Sequence, residues 1–220
     1  MSISRLMQMG AAGGLKVYYK ATQDNTNGQN SYVDLGANLL PNAYPTYTIE
    51  AWVRPLITPT GQAWIVDQHS ATGSAGRLIV GASNANMGAF AGSWYETSTS
   101  FGNTSTFAHL AYVAKGDGTM EFFKNGVSAG TSGVYITAAP NAQNTLWGQD
   151  TNFGSFGCEY RGFRINSTEL YTANFTPPSI DGGLTNVSGT VALWNGLSGS
   201  AVDASGNNTW SATNFSFSEV

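Results

Sequence analysis

Short apolar runs recur along the chain every ten or so residues, each closed by a cluster of Gly, Asn, Asp, Ser or Thr. That rhythm leaves little room for helices and favours strands joined by tight turns. Within one run the pattern is explicit. Tyr47, Ile49, Ala51 and Val53 alternate with Thr48, Glu50, Trp52 and Arg54, the period of a strand with one buried face. The same reading predicts strands at Lys16–Lys20, Ser31–Leu35, Tyr47–Arg54, Ala63–Asp67, Arg77–Gly81 and Met87–Ala91. It continues with Phe107–Lys115, Thr119–Lys124, Gln143–Trp147, Phe156–Ile165, Thr190–Trp194 and Thr209–Phe217. The segment GSWYETSTSFG, rich in Gly, Ser and Thr, reads as a long loop between strands.

The clearest hairpin runs from His109 to Val127. Gly116-Asp117-Gly118 supplies the positive φ of a tight reversal, and Asn125-Gly126 provides a second turn of the same chemistry. Met120, Phe122 and Phe123 between them predict a short, mostly buried strand. A dozen such strands in one unit imply two stacked antiparallel sheets, an all-β sandwich of the jelly-roll kind. We read one such domain over residues 15–220, preceded by an arm at 1–14.

Composition narrows the function. Only 10% of the 220 residues are charged, while 41% are hydrophobic and 12% aromatic. Disorder driven by charge is excluded. Nine Lys and Arg against thirteen Asp and Glu give no basic stripe for nucleic acid. Gly, Ser, Thr, Asn and Pro interrupt every long uncharged stretch, so no membrane insertion is expected. MSISRLMQMGAAGG lacks the apolar run of a secretory signal. Cys158 is the only cysteine, which precludes an intrachain disulfide and predicts a buried, inert thiol.

Three stretches carry a resemblance. TYTIEAWVRP (Thr46–Pro55), FAHLAYVAKGDGTMEFFKNGV (Phe107–Val127) and GFRINSTELYTANFTPPS (Gly162–Ser179) resemble successive signatures of the laminin-G-like, concanavalin A-like lectin/glucanase jelly roll. The third is similar to the version found in tailed-bacteriophage virion proteins, and MSISRLMQMGAAG resembles the N-terminal arm of some phage structural proteins. The resemblance implies a two-sheet jelly roll and a place in a virion assembled in the host cytoplasm. Partners would be other virion proteins, further copies of the chain and host-surface glycans.

Hydrolases of that superfamily carry a Glu-x-Asp-x-Glu strand, whose period-two spacing puts the carboxylates on one sheet face. The six Glu here, at 50, 96, 121, 159, 169 and 219, form no such pair with one another or with the seven Asp. His69 and His109, the only histidines, lack HxxxH spacing, and no Gly-x-Ser-x-Gly elbow presents a nucleophile. His109 reads as a core or edge histidine. The expectation is no catalytic residue and no cofactor. Many laminin-G-like domains bind calcium, and oxygen ligands for it exist at Asp24, Asn25 and Asn27 or at Asp203, Asn207 and Asn208. Yet Arg161-Gly162 stands where many relatives carry an acidic pair.

Glycan binding needs an aromatic platform beside polar groups. Trp94 and Tyr95 are the candidates, with capping of the sheet edge as the competing reading. Trp64 and Trp147 sit in strand-like runs and read as core, and Trp52 shares a face with Glu50 and Arg54. In the arm, Ile3, Leu6, Met7 and Met9 form an apolar, adaptable docking set, against the domain itself or against a neighbour. The expected function is a non-enzymatic virion structural protein, a capsid decoration or tail- or fibre-associated component with weak glycan adhesion. A glycan hydrolase and a free-standing lectin module are the alternatives.

Overall fold

The computed structural model describes residues 19–23, 32–35, 46–59, 63–70, 73–83, 85–90, 94–132, 143–146, 158–197, 199–213 and 215–219. The docking set Ile3, Leu6, Met7 and Met9 lies outside them, as do Trp147 and the candidate ligands Asp24, Asn25 and Asn27. Among the described residues every regular element is a strand. In chain order these are β1 (Tyr19–Gln23), β2 (Tyr32–Asp34), β3 (Tyr47–Pro55), β4 (Ala63–Ser70) and β5 (Gly73–Ser83). Next come β6 (Asn86–Phe90), β7 (Trp94–Ser100), β8 (Ala108–Ala114), β9 (Met120–Lys124) and β10 (Val127–Ser132). The last five are β11 (Gln143–Leu146), β12 (Cys158–Asn166), β13 (Thr190–Trp194), β14 (Ser211–Thr213) and β15 (Phe215–Glu219).

Two antiparallel sheets result. The larger runs β10-β9-β8-β3-β12-β1-β15, with β13 also on β12, and the smaller runs β14-β2-β11-β4-β5-β6-β7. The predicted C-terminal strand is two: β14 ends one sheet and β15, after a single residue, ends the other. GSWYETSTSFG is not a loop. Its residues Trp94–Ser100 form β7, the edge of the smaller sheet. Edge position explains the polar composition, because such a strand packs one face and leaves the other in water.

The alternation in β3 sorts as its sequence predicts. Tyr47, Ile49, Ala51 and Val53 enter the core between the sheets, joined by Leu110, Tyr112, Met120, Phe122, Tyr160, Phe163, Ile165 and Trp194. Each fully buried Phe or Ile contributes about 1.5–3 kcal/mol. Tyr112 crosses the sandwich, donating its hydroxyl to Gly81 O at 2.7 Å. Cys158 is buried in the same core, as expected.

The outward face of the larger sheet is not left to water. Ala111, Val113 and Phe123 form a second cluster there, covered by Tyr171 and Phe175. These belong to the segment 167–185 that follows β12 and straps the sheet. Its fastenings are side-chain and backbone bonds. Thr48 Oγ1 donates to Thr168 O at 2.9 Å and accepts from Leu170 N at 3.0 Å. Phe175 N donates to Gly126 O at 2.8 Å, and Ser128 N to Asn174 Oδ1 at 2.9 Å. The Asn125-Gly126 turn, with φ of 51° and 77°, is therefore also the buckle of the strap.

Candidate functional site

β7 pairs with β6 in a register that sets Trp94 opposite Phe90, Tyr95 opposite Ala89 and Glu96 opposite Gly88. Directly opposed residues share a face, and Ala89 belongs to the core. Tyr95 consequently points inward, while Trp94, Phe90 and Glu96 point outward from the smaller sheet. The two sequence candidates lie on opposite faces and cannot form one platform. A strand imposes this separation on neighbours; a loop would not have.

Trp94 alone forms a ledge. Its ring meets Phe90 edge-to-face, with centroids 5.7 Å apart and planes at 64°. The indole reaches over Gly88: a Cβ there would stand 3.6 Å from Trp94 Cε3 and 3.6 Å from Glu96 Cγ. Trp94 is half-buried and Glu96 exposed. A supported, partly open indole beside a carboxylate has the parts for the apolar face and hydroxyls of a sugar ring.

A second group of polar side chains lies beneath the strap. Glu50 is buried on the outward face of β3. Its Oε1 accepts from Arg164 Nε at 2.7 Å. Its Oε2 accepts from the Tyr171 hydroxyl and pairs with His109 Nε2, each at 2.8 Å. Arg164 Nη1 in turn donates to Thr185 O at 2.7 Å. Burial pushes the Glu50 pKa up, but the bond to His109 and the Arg164 charge, with Tyr171, bring it below its ordinary value. Burial also raises the Tyr171 hydroxyl, and the Glu50 carboxylate beside it adds to the effect. His109 is buried as expected, and its ring packs edge-on to Trp52 at 5.2 Å and to Phe175 at 5.8 Å. Among the described residues its Nδ1 has no partner, so it is satisfied on one side only.

Beyond His109, this cluster was missed in sequence because Glu50 appears on the polar side of a half-buried strand. Its ligands arrive from positions 59, 114 and 121 residues away. One signal was available: Tyr171 and Phe175 put two large aromatics into a segment with no strand alternation, which marks a segment that must cover something.

Asp203 anchors the loop after β13. Its carboxylate accepts from the backbone N–H groups of Leu193, Ser205 and Asn208 at 2.9 Å each, and from Ser205 Oγ at 2.7 Å. Asn207 N and Asn208 Nδ2 add further bonds. Those donors occupy the Asp203 carboxylate, and the Asn207 and Asn208 side-chain amides donate to Thr190 O and Val191 O, so the three residues close a turn. Among the described residues no three His, Cys, Asp or Glu side chains cluster as a metal site. No helix there is long and apolar enough to cross a membrane.

Residues 27–181 match the family described as the concanavalin A-like lectin/glucanases superfamily. The chain belongs to that superfamily. The match spans all three stretches that carried the sequence resemblance, and solved structures agree on the fold. A candidate carbohydrate binding protein from Bacteroides ovatus superposes with a TM-score of 0.66 at 15% identity, over 94% of this chain and 61% of that one. The heptameric SAP-like pentraxin from Limulus polyphemus gives 0.58 at 15% identity, over 92% of this chain and 95% of that one. This chain thus spans about three fifths of the Bacteroides protein's length. At such identities the likeness establishes the lectin-like sandwich. No curated protein matches the chain in sequence.

Proposed function

We propose that this lectin-like domain is a non-enzymatic adhesive module that holds neutral sugar rings on the Trp94 ledge, as a structural component of a tailed-bacteriophage particle. The observation that carries glycan adhesion is the indole of Trp94, laid outward over Gly88 with Phe90 as its backstop and Glu96 beside it. The Bacteroides neighbour, named for carbohydrate binding, supports the same reading. The virion setting rests on the resemblance of Gly162–Ser179 and of the first thirteen residues to phage structural proteins. In a particle, many copies would turn weak single-site adhesion into firm attachment.

A non-enzymatic role is favoured by the state of the acids on the larger sheet. Glu50 is held ionised beneath the strap, hydrogen-bonded to Arg164, His109 and Tyr171. Glu159 is buried and ion-paired with Arg54. A glycosidase needs one such carboxyl kept protonated and near its substrate, and these bonds do the opposite for Glu50.

The test is a glycan array of host-surface polysaccharides, with an assay for reducing ends on each retained glycan. Wild type should be retained without releasing reducing ends, and Trp94→Ala should lose retention. A blank array removes the adhesive reading, and released reducing ends remove the non-enzymatic one. Mass spectrometry of purified virions tests the setting: absence of the chain from particles contradicts it.

A further inference from the structure

At one end of the outward face of the larger sheet, beyond the strap's Glu50 cluster, two arginines share one aromatic ring. Arg54 of β3 stands opposite Glu159 of β12. Phe107 immediately precedes β8, whose Ala108 pairs with Val53, so its ring falls beside Arg54. The guanidinium carbon of Arg54 lies 5.1 Å from the Phe107 centroid and that of Arg161 4.8 Å from it. Arg161 reaches this position because an extra residue bulges β12 between Tyr160 and Phe163, with Gly162 at φ 89°.

The two arginines are not equally engaged. Arg54 is ion-paired with Glu159. Arg161 keeps only 21% of its side chain exposed, yet its pairing carboxylate, Asp181 Oδ1, stands 3.7 Å from Nη1, outside hydrogen-bond reach. Its Nε is buried with no acceptor among the described residues. Trp52, the next outward residue along β3, adds a buried indole N–H that also lacks an acceptor among them. A guanidinium presents five donors in a planar fork, and desolvating it without acceptors is costly. Burial lowers its affinity for its own proton, against the opposing pull of Asp181 and Glu159 and with the repulsion of Arg54. Arg161 therefore has a buried donor without an acceptor and a carboxylate neighbour held just beyond hydrogen-bond reach.

We infer that Arg161, with Arg54 and Phe107, forms a second binding site that takes the carboxylate of an acidic sugar residue. Guanidinium and carboxylate match in a bidentate, coplanar geometry. The half-buried Phe107 ring adds a surface for the sugar's C–H face, which favours a uronate-like saccharide over an acidic peptide. Asp181, 54% exposed at its side chain, is the resident carboxylate that the ligand displaces. The site lies on the larger sheet and is separate from the Trp94 ledge on the smaller one, so neither depends on the other.

Calorimetric titration of the full chain with a trigalacturonate, a neutral galactotriose and a Glu-rich peptide tests the inference. Trigalacturonate should bind about tenfold or more tightly than galactotriose, the scale of one charge-assisted bond pair. Arg161→Gln should remove that preference with an unchanged melting temperature, and Trp94→Ala should retain it. Asp181→Asn, which removes the competing carboxylate, should strengthen acidic-sugar binding several-fold. Equal binding of acidic and neutral sugars overturns the inference, as does an unaffected Arg161→Gln variant or weaker binding by Asp181→Asn. A peptide bound as tightly as the saccharide overturns the assignment to sugar.

Discussion

Arg164 Nε donates to Glu50 Oε1 at 2.7 Å across neighbouring strands, and both side chains are buried on a face that sequence alternation assigns to water. The pair sits under the strap, where His109 and Tyr171 complete the coordination of the carboxylate. Removing one member strands the other. Glu50→Gln should therefore cost about 3–5 kcal/mol, measured by urea denaturation. The double variant Glu50→Leu/Arg164→Met should cost clearly less than the sum of the two single changes, because it leaves no unpaired charge.

The same cluster sets an acid limit. Glu50 has a folded-state pKa below its ordinary value of 4.5. A depressed carboxylate stabilises the fold fully above the unfolded pKa, and this contribution fades as pH falls through the lower, folded one. Stability of wild type should accordingly decline below about pH 4.5, and Glu50→Gln should show a shallower decline across that window. Denaturation midpoints at a series of pH values check this. Parallel curves would contradict it.

Gly126 couples the hairpin to the strap. At φ 77° its backbone is in the left-handed region, and a Cβ there would overlap the Phe175 carbonyl that follows the bond from Phe175 N to Gly126 O. Gly126→Ala should cost about 1–3 kcal/mol in backbone strain alone. The added overlap should also loosen residues 167–185, read as faster cleavage by limited proteolysis. Cleavage at the wild-type rate would show that the buckle does not hold the strap.

How far the sequence foretold this structure depends on range. Tyr47–Val53 declared its own inner face, and Asn125-Gly126 declared its turn, because both signals are local. β7 was hidden because an edge strand whose outer face is wet carries Ser and Thr like a loop does. Trp94 and Tyr95 stand out in the sequence as neighbouring aromatics, but their opposite directions follow only once β7 is a strand. Glu50 was invisible as a buried residue, since the cover over it begins more than a hundred residues later. The split of the C-terminal strand between two sheets likewise depends on which edge each half meets, and no local pattern encodes that choice.

Cys158 should be silent in the folded protein. Burial pushes its thiol up to about 12, and the thiolate is the reactive form. A maleimide at pH 7.5 should leave native protein unlabelled for hours and label it fully in concentrated guanidinium, as read by intact mass. Rapid native labelling would mean that the core around Cys158 opens far more often than its packing implies.

The central claim is that the Trp94 ledge meets sugar. Indole N–H resonances of the uniformly 15N-labelled chain, followed during titration with the best-retained neutral glycan, address it directly. The Trp94 signal, assigned by its loss in Trp94→Phe, should shift progressively and saturate, while those of the buried Trp194 and Trp210 stay in place. A glycan that binds while the Trp94 resonance does not move would contradict the account.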